Sequence, residues 1–515
     1  MKVLEVNNID LIGSHFNGYD MIDELKDKNI SIKQSVIIKQ SNNNKVSKII
    51  NNSCEEYCNY KFEGIEQELS IKNVFSITTP LLREMKEYQE ADIIHFHMFH
   101  NTNLSLYSLI KIAKEKKVVL TLHDPWFITG RCVHFYDCDK WKSGCKKCPN
   151  LETLFPFKED NCHEMWELKK KVFDNINIDI VVSSRWMLDL VENSPIMEHQ
   201  KNTHLIPFGI NYKEFCSISP KEARAHFHIP KDDVVLFLRA QNEFKGTPYV
   251  LEALKKLETK KSLTILTCDT KNLLDDIKDK YNVVDLGSIN KKEMIYAMNA
   301  CDMFLMPSIG ESFGMMAIEA MSCKKPVIVF NNSALPSVTH APECGYLVKN
   351  RDSDDLMKAM KKLIENKDER EKRGMLGFEI VKKEYSNETY NNNLKKLYTD
   401  INNRKKTTQK EINYKETENS KQFKFYLNDL TVRLFGTKSE VSKNLMYDLK
   451  GEKRNKNKYD FSDFSLQKLL EDYCENLSKL INKYPRVYAG KRIKMEKLIY
   501  FIKNNPKQIY RIIKK

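Results

Sequence analysis

Nowhere in the 515 residues is there a run of about 18 or more apolar side chains, the length a membrane-spanning helix needs. A transmembrane helix is thereby excluded. The opening Met1-Lys2-Val3-Leu4-Glu5-Val6-Asn7-Asn8 has too short an apolar core for a secretory signal and reads as a first buried strand. A solenoid-type internal repeat is also lacking. The thirteen cysteines are odd in number, in a chain expected to stay in the cytosol. A disulfide framework is therefore not expected, and clustered cysteines read as thiols or metal ligands. What the chain does have is 41% hydrophobic and 30% charged residues, enough apolar surface to bury real cores. At about 150 residues per domain the length suggests about three.

The net charge of +14 is unevenly placed. Residues 401–515 hold 28 Lys and Arg against 13 Asp and Glu, while residues 1–400 hold 56 against 57. A near-neutral body with a basic tail indicates an enzyme with an appended segment for an anionic surface.

Strand-like runs (Val3–Val6, Ile93–Ile94, Val118–Leu122, Asp179–Val182, Val234–Leu238, Leu263–Leu266, Met303–Met306 and Val327–Phe330) alternate with amphipathic stretches such as Tyr249–Leu257, Lys291–Met298 and Phe313–Met321. This alternation predicts parallel sheets with helices on both faces, and too many strands for one sheet. The break at Leu205-Ile206-Pro207-Phe208-Gly209 divides them into two α/β, doubly wound domains, 1–205 and 206–385. A helix over 386–402 is expected to return to the first domain. Residues 403–420 read as a linker and 421–515 as a basic, mostly helical extension.

In open α/β sheets ligands bind beyond the carboxyl ends of the strands, where the unusual polar residues of this chain fall. Arg239 follows Val234–Leu238, with Lys245-Gly246 six residues on. His123-Asp124 follows Val118–Leu122, His95 and His97 close another run, and Ser183-Ser184-Arg185 follows Asp179–Val182. Gly310-Glu311-Ser312-Phe313-Gly314 opens a helix carrying Glu319. Taken singly, such residues are commonly solvated loop residues or helix caps; together they describe a site. A guanidinium and an ammonium can clamp a diphosphate, and the Gly314-Met315-Met316 backbone at a helix start offers N–H donors to the same anion. Glu311 and Glu319, eight apart, are about 80° apart on a wheel of ~3.6 residues per turn and are expected to share a face. Carboxylates there suit vicinal hydroxyls. The ligand so described is a nucleotide sugar.

Glu311-Ser312-Phe313-Gly314-Met315-Met316-Ala317-Ile318-Glu319-Ala320-Met321 resembles the E-x7-E signature of glycosyltransferase family 4, retaining enzymes of the GT-B fold. Arg239 with Lys245-Gly246, Leu205-Ile206-Pro207-Phe208-Gly209-Ile210-Asn211 and Gly345-Tyr346-Leu347-Val348 match further landmarks in order, over residues 1–400. The resemblance implies that Glu319 holds the ribose hydroxyls and Glu311 those of the donor sugar. It further implies that Arg239 and Lys245 bind the diphosphate, that His123 faces the donor sugar, and that Gly13 lies near the phosphates. Phe208 stands where the family commonly has Asn, a departure read as without effect on the chemistry. The expected reaction moves a sugar from a UDP- or GDP-sugar to a glycan or lipid-linked acceptor, in cell-surface polysaccharide synthesis, with no catalytic cofactor.

Cys132, Cys138, Cys145 and Cys148 are spaced C-x5-C-x6-C-x2-C. Two readings stay open: a structural zinc on four converging sulfurs, or four reduced thiols. Similar Cys-rich segments occur in family members that build bacterial surface polysaccharides, which implies a structural insertion beside the acceptor cleft. Asp137-Cys138-Asp139 has the D-x-D pattern of a divalent-cation site but lies inside this cluster and is rejected as one.

An epimerase or phosphorylase of the same fold would not be expected to carry Arg239, Lys245-Gly246 and the E-x7-E pair together. A nucleic-acid partner is not expected, since the tail has no zinc-finger or RNA-binding motif. Residues 491–515 combine basic with apolar and aromatic side chains. They read either as a peripheral contact with the inner face of the plasma membrane or as the last helices of a soluble module.

Overall fold

The computed structural model describes residues 1–25, 29–153, 155–241, 243–268, 272–405, 415–435, 439–449 and 459–483. Seven strands form the first sheet: β1 Lys2–Ile9, β2 Ser31–Ile38, β3 Val46–Lys48, β4 Ile93–Phe96, β5 Lys117–Leu122, β6 Asp179–Val182 and β7 Asn202–Leu205. All pair in parallel, in the order β3-β2-β1-β4-β5-β6-β7. The second sheet holds β8 Val234–Leu238, β9 Leu263–Thr267, β10 Asn282–Asp285, β11 Met303–Met306, β12 Val327–Phe330 and β13 Gly345–Val348, parallel in the order β10-β9-β8-β11-β12-β13. This is the α/β class with two doubly wound sheets that the sequence indicates. Strands β4, β6, β8, β11 and β12 are buried at every position, as interior strands covered on both faces are.

The two domains are tied by two chain crossings. Ile210 N–H donates to Tyr385 O at 2.8 Å, and Asn387 N–H donates to Ile210 O at 3.1 Å. Beyond this junction the helix Asn387–Asn403 packs on the first domain, where Tyr398 O–H donates to Glu5 Oε1 at 2.7 Å.

The described helices after 415 are integral to the first domain's core. Helix Glu418–Phe435 begins inside the segment read as a linker, and with Ser465–Lys483 it packs against Ser53–Leu69 and Thr78–Glu84. Phe423 and Tyr426 meet Phe75, and Glu475 accepts from Arg83 Nη1 at 2.9 Å and Lys111 Nζ at 2.5 Å. Among the described residues no helix is long and apolar enough to cross a membrane. The basic stretch 491–515 lies outside the described residues.

Candidate functional site between the domains

The carboxyl ends of both sheets border an open cavity of about 330 Å³. Gly13, Ser14 and His15 line it from the first domain, and Arg239, Lys291, Met316 and Glu319 from the second. Arg239 directly follows β8, and with the Gln241 amide oxygen turned toward it, Nη2 and Nε donate at 2.9 and 3.0 Å. Burial pushes the Glu319 carboxyl up to about 7, although Lys291 and Arg239 pull it down. His15 is held down to about 4 by burial and by Lys291. The cavity therefore presents cations, a weakly acidic carboxyl and the start of helix Met315–Ser322. Gly314 precedes that helix as its cap, with a φ of +101° that suits glycine, and a Cβ there would stand 2.6 Å from Leu335 Cδ2. Ala317 N–H already donates to Gly314 O at 3.0 Å, while the N–H groups of Met315 and Met316 before it have no partner within the helix.

Lys245 and Glu311 do not line this cavity. They pair with each other beside it, Nζ to Oε1 at 2.5 Å. Gly246 makes this possible: at φ +75° a Cβ would come 1.9 Å from Pro307 O, so only glycine lets the loop after β8 lie against the loop after β11. The helical-wheel relation between Glu311 and Glu319 does not hold. The helix starts at Met315, so Glu311 sits in the preceding loop and Glu319 turns toward Arg239 and Lys291 instead.

His123 directly follows β5 and is not among the residues that line this cavity. Its Nε2 lies 3.0 Å from His97 Nδ1, and its ring stacks on Phe208 at 5.3 Å and 15°. Phe208 also meets Phe16 and Phe313, so the residue that departs from the family's Asn packs directly on a site histidine. Burial, with His97, His95 and His100 nearby, holds His123 well below the usual imidazole range. The loop after His123 is clamped from beneath by Lys169 Nζ, which donates to the carbonyls of Trp126, Thr129 and Gly130 at 2.6, 2.9 and 3.1 Å.

The Cys-rich insertion reaches the second domain. His134 lies 4.5 Å from the Phe244 ring and packs on Gly310, with Glu311 and Lys245 acting on its charge. Asp137 accepts from Arg351 Nη1 at 2.6 Å. Burial pushes the Cys132 and Cys145 thiols up, with Cys148 and Cys138 near enough to add to it at Cys132, and Cys132 and Cys138 at Cys145, and Gly130 N–H donates to Cys145 Sγ at 3.2 Å. The four sulfurs do not form a group mutually within 4.8 Å. Among the described residues such a group of three is Glu5, His95 and His97.

Sequence reading thus named Gly13, Arg239, Met316 and Glu319, which the fold gathers at one cavity, and Lys245 with Glu311, which it pairs alongside. It passed over Lys291, which ordinary spacing does not mark, and His134, hidden among the cysteines. Ser184 both caps helix Arg185–Glu192 and donates from Oγ to Ser312 O at 2.6 Å across the domains, a second role that a cap motif does not reveal.

Residues 219–377 match the family model described as glycosyl transferases group 1. The chain carries a glycosyl transferases group 1 domain. This domain contains β8–β13 with Arg239, Lys245, Glu311 and Glu319. A putative colanic acid biosynthesis glycosyl transferase, WcaC of Escherichia coli, is 33% identical over 109 residues, 20% of this chain and 27% of that protein. The chain thus spans about a quarter of that relative's length. A 41.2 kDa protein from the cps region of Klebsiella pneumoniae is 27% identical over 60% of this chain and 79% of its own length. In fold, the chain is similar to Anabaena HepE in complex with UDP, with TM-score 0.54 and 14% identity over 78% of this chain and 100% of that one. The group 1 domain and the sheet facing it have the GT-B architecture.

Proposed function

We propose that this chain is a retaining, nucleotide-sugar-dependent glycosyltransferase of family 4, acting on a glycan or lipid-linked acceptor in surface-polysaccharide synthesis. The observation that carries the reading is the cavity between the domains. It sets Arg239 and Lys291 around Glu319, one turn into helix Met315–Ser322 of the group 1 domain, opposite the Gly13 loop. Cations and first-turn N–H groups suit a diphosphate, and a carboxylate suits a ribose diol. In the proposed transfer the bond from the sugar's anomeric carbon to the leaving phosphate oxygen breaks. The acceptor oxygen bonds to the same face of that carbon, and the acceptor proton passes to the leaving oxygen. Arg239 and Lys245 stabilise the charge that develops on the diphosphate, commonly the largest catalytic contribution. Glu311 holds the donor sugar once a diphosphate draws Lys245 away from it.

Two further parts belong to this reading. A structural zinc on Cys132, Cys138, Cys145 and Cys148 is supported by their gathering around Cys132, and its binding would draw the sulfurs together to ligation distance. Contact of the 491–515 region with an anionic membrane is supported by composition alone, nine cations to one carboxylate over those residues.

A thermal-shift panel of UDP, GDP, ADP and their sugars tests the central reading. One nucleotide family is expected to raise the melting temperature, and the rise is expected to disappear in Arg239→Ala. No shift with any nucleotide would contradict it.

A further inference from the structure

A buried file of hydrogen-bonded side chains runs from the centre of the first sheet to the carboxyl end of β5, where it ends at His123. The geometry points to Glu5 and His97 as positioning residues that fix the His123 ring with its outer nitrogen, Nδ1, as a hydrogen-bond acceptor. This rests on the proposed placement of the donor sugar against His123.

Each link leaves room for one proton. Tyr398 O–H donates to Glu5 Oε1 at 2.7 Å, and His97 Nε2 lies 2.8 Å from Glu5 Oε2. A carboxylate only accepts, so the His97 proton sits on Nε2. His97 Nδ1 is then a bare lone pair, and His123 Nε2, 3.0 Å away, must donate to it. With its proton committed on that side, neutral His123 carries a lone pair on Nδ1, an atom that no described residue reaches with a hydrogen bond.

The surroundings keep this arrangement from reversing. Burial opposes charge on Glu5, yet the His95 and His97 rings hold its carboxyl well below the usual range, so it stays an acceptor. Burial and His95 hold His97 down to about 4 against the pull of Glu5, so it stays neutral near pH 7. A doubly protonated His97 would donate to His123 and turn the outer nitrogen into a donor.

A metal held by Glu5, His95 and His97 would have to displace these bonds. His95 Nδ1 lies 2.6 Å from Tyr398 Oη and Nε2 lies 2.7 Å from Thr121 Oγ1, so both of its ring nitrogens are engaged. The complementary set accounts for every ring nitrogen of His95 and His97 and both Glu5 oxygens with no ion.

An acceptor at His123 has a consequence for the substrate class. The donor sugar must bring a hydroxyl to that position, because a carboxylate there would face a lone pair with no proton to share. Neutral hexoses fit, and hexuronates carrying the acid at that position do not.

Nitrogen NMR of the full-length, ¹⁵N-histidine-labelled protein at pH 7.5 tests the inference without any transfer assay. His123 is identified by the signals lost in His123→Gln. The expected result is a neutral ring protonated on Nε2 in the wild type, changing to a mixture of both tautomers in His97→Phe. A wild-type His123 protonated on Nδ1 overturns the inference, as does an unchanged Nε2–H ring in folded His97→Phe. Should His97→Phe not fold, the wild-type protonation state decides alone. Absent transferase activity, by contrast, would count against the proposed function and leave this measurement intact.

Discussion

Lys245 Nζ stands 2.5 Å from Glu311 Oε1, joining the loop after β8 to the loop after β11. The resemblance gives these residues different partners, a phosphate for the lysine and sugar hydroxyls for the glutamate. The ion pair holds both at the site in the absence of ligand, with side chains only 25% and 15% exposed. Lys245→Ala and Glu311→Gln are each expected to slow transfer by about two to three decades, the ~3–4 kcal/mol typical of losing one preorganised stabiliser. Steady-state rates with a saturating donor check this, and near-normal turnover in either variant would remove the pair from the chemistry.

Glu319 gives a pH dependence of definite sign. Its carboxyl is raised from 4.5 to about 7, so it binds a proton over a range where the unfolded chain has lost it. On this group's account stability falls as pH rises from about 4.5 to 7 and then levels. Ribose hydroxyls are best accepted by the carboxylate, so nucleotide affinity is expected to rise between pH 6 and 8. Calorimetric titration at several pH values should show that rise diminished in Glu319→Gln, a comparison that cancels ionisation of the nucleotide itself. Parallel pH profiles in the two proteins would disprove the ribose contact.

The helices after residue 415 are expected to behave as core. Leu427 and Leu430 are buried in the cluster that holds Phe62 and Phe75 of the first domain. Leu427→Ala and Leu430→Ala should each destabilise by about 2–5 kcal/mol in chemical denaturation. Losses below about 0.5 kcal/mol would mean that this region is appended rather than integral.

Much of this arrangement is legible in the sequence, for physical reasons. Buried strands such as Val234–Leu238 and Val327–Phe330 declare themselves as short apolar runs. The strands passed over are mostly edges, Asn202–Leu205 and Asn282–Asp285, half-open to water and so not constrained to be apolar. Strand β2 is interior yet carries Gln34 and Ser35 into the core, where Gln34 Nε2 donates to Asn17 O at 2.9 Å, and this polar pair interrupts the pattern. Site residues at strand ends were readable because they are polar beside apolar runs. His134, Lys291 and the packing of Phe208 on His123 depend on contacts between distant segments, which no local pattern encodes.

Elemental analysis separates the two readings of the cysteine insertion. About one zinc per chain is expected, lost together when Cys145 and Cys148 are replaced by Ser. Reduced, freshly purified protein without metal would leave four thiols packed around Cys132.

Most direct for the central claim is release of nucleoside diphosphate from a panel of UDP- and GDP-sugars, with lipid-linked acceptor present, by the full-length protein and by Lys245→Ala. One sugar nucleotide is expected to be turned over by the wild type and at least about 100-fold more slowly by the variant. Release from none of them, or equal release by both proteins, would contradict a nucleotide-sugar transferase built on this cleft.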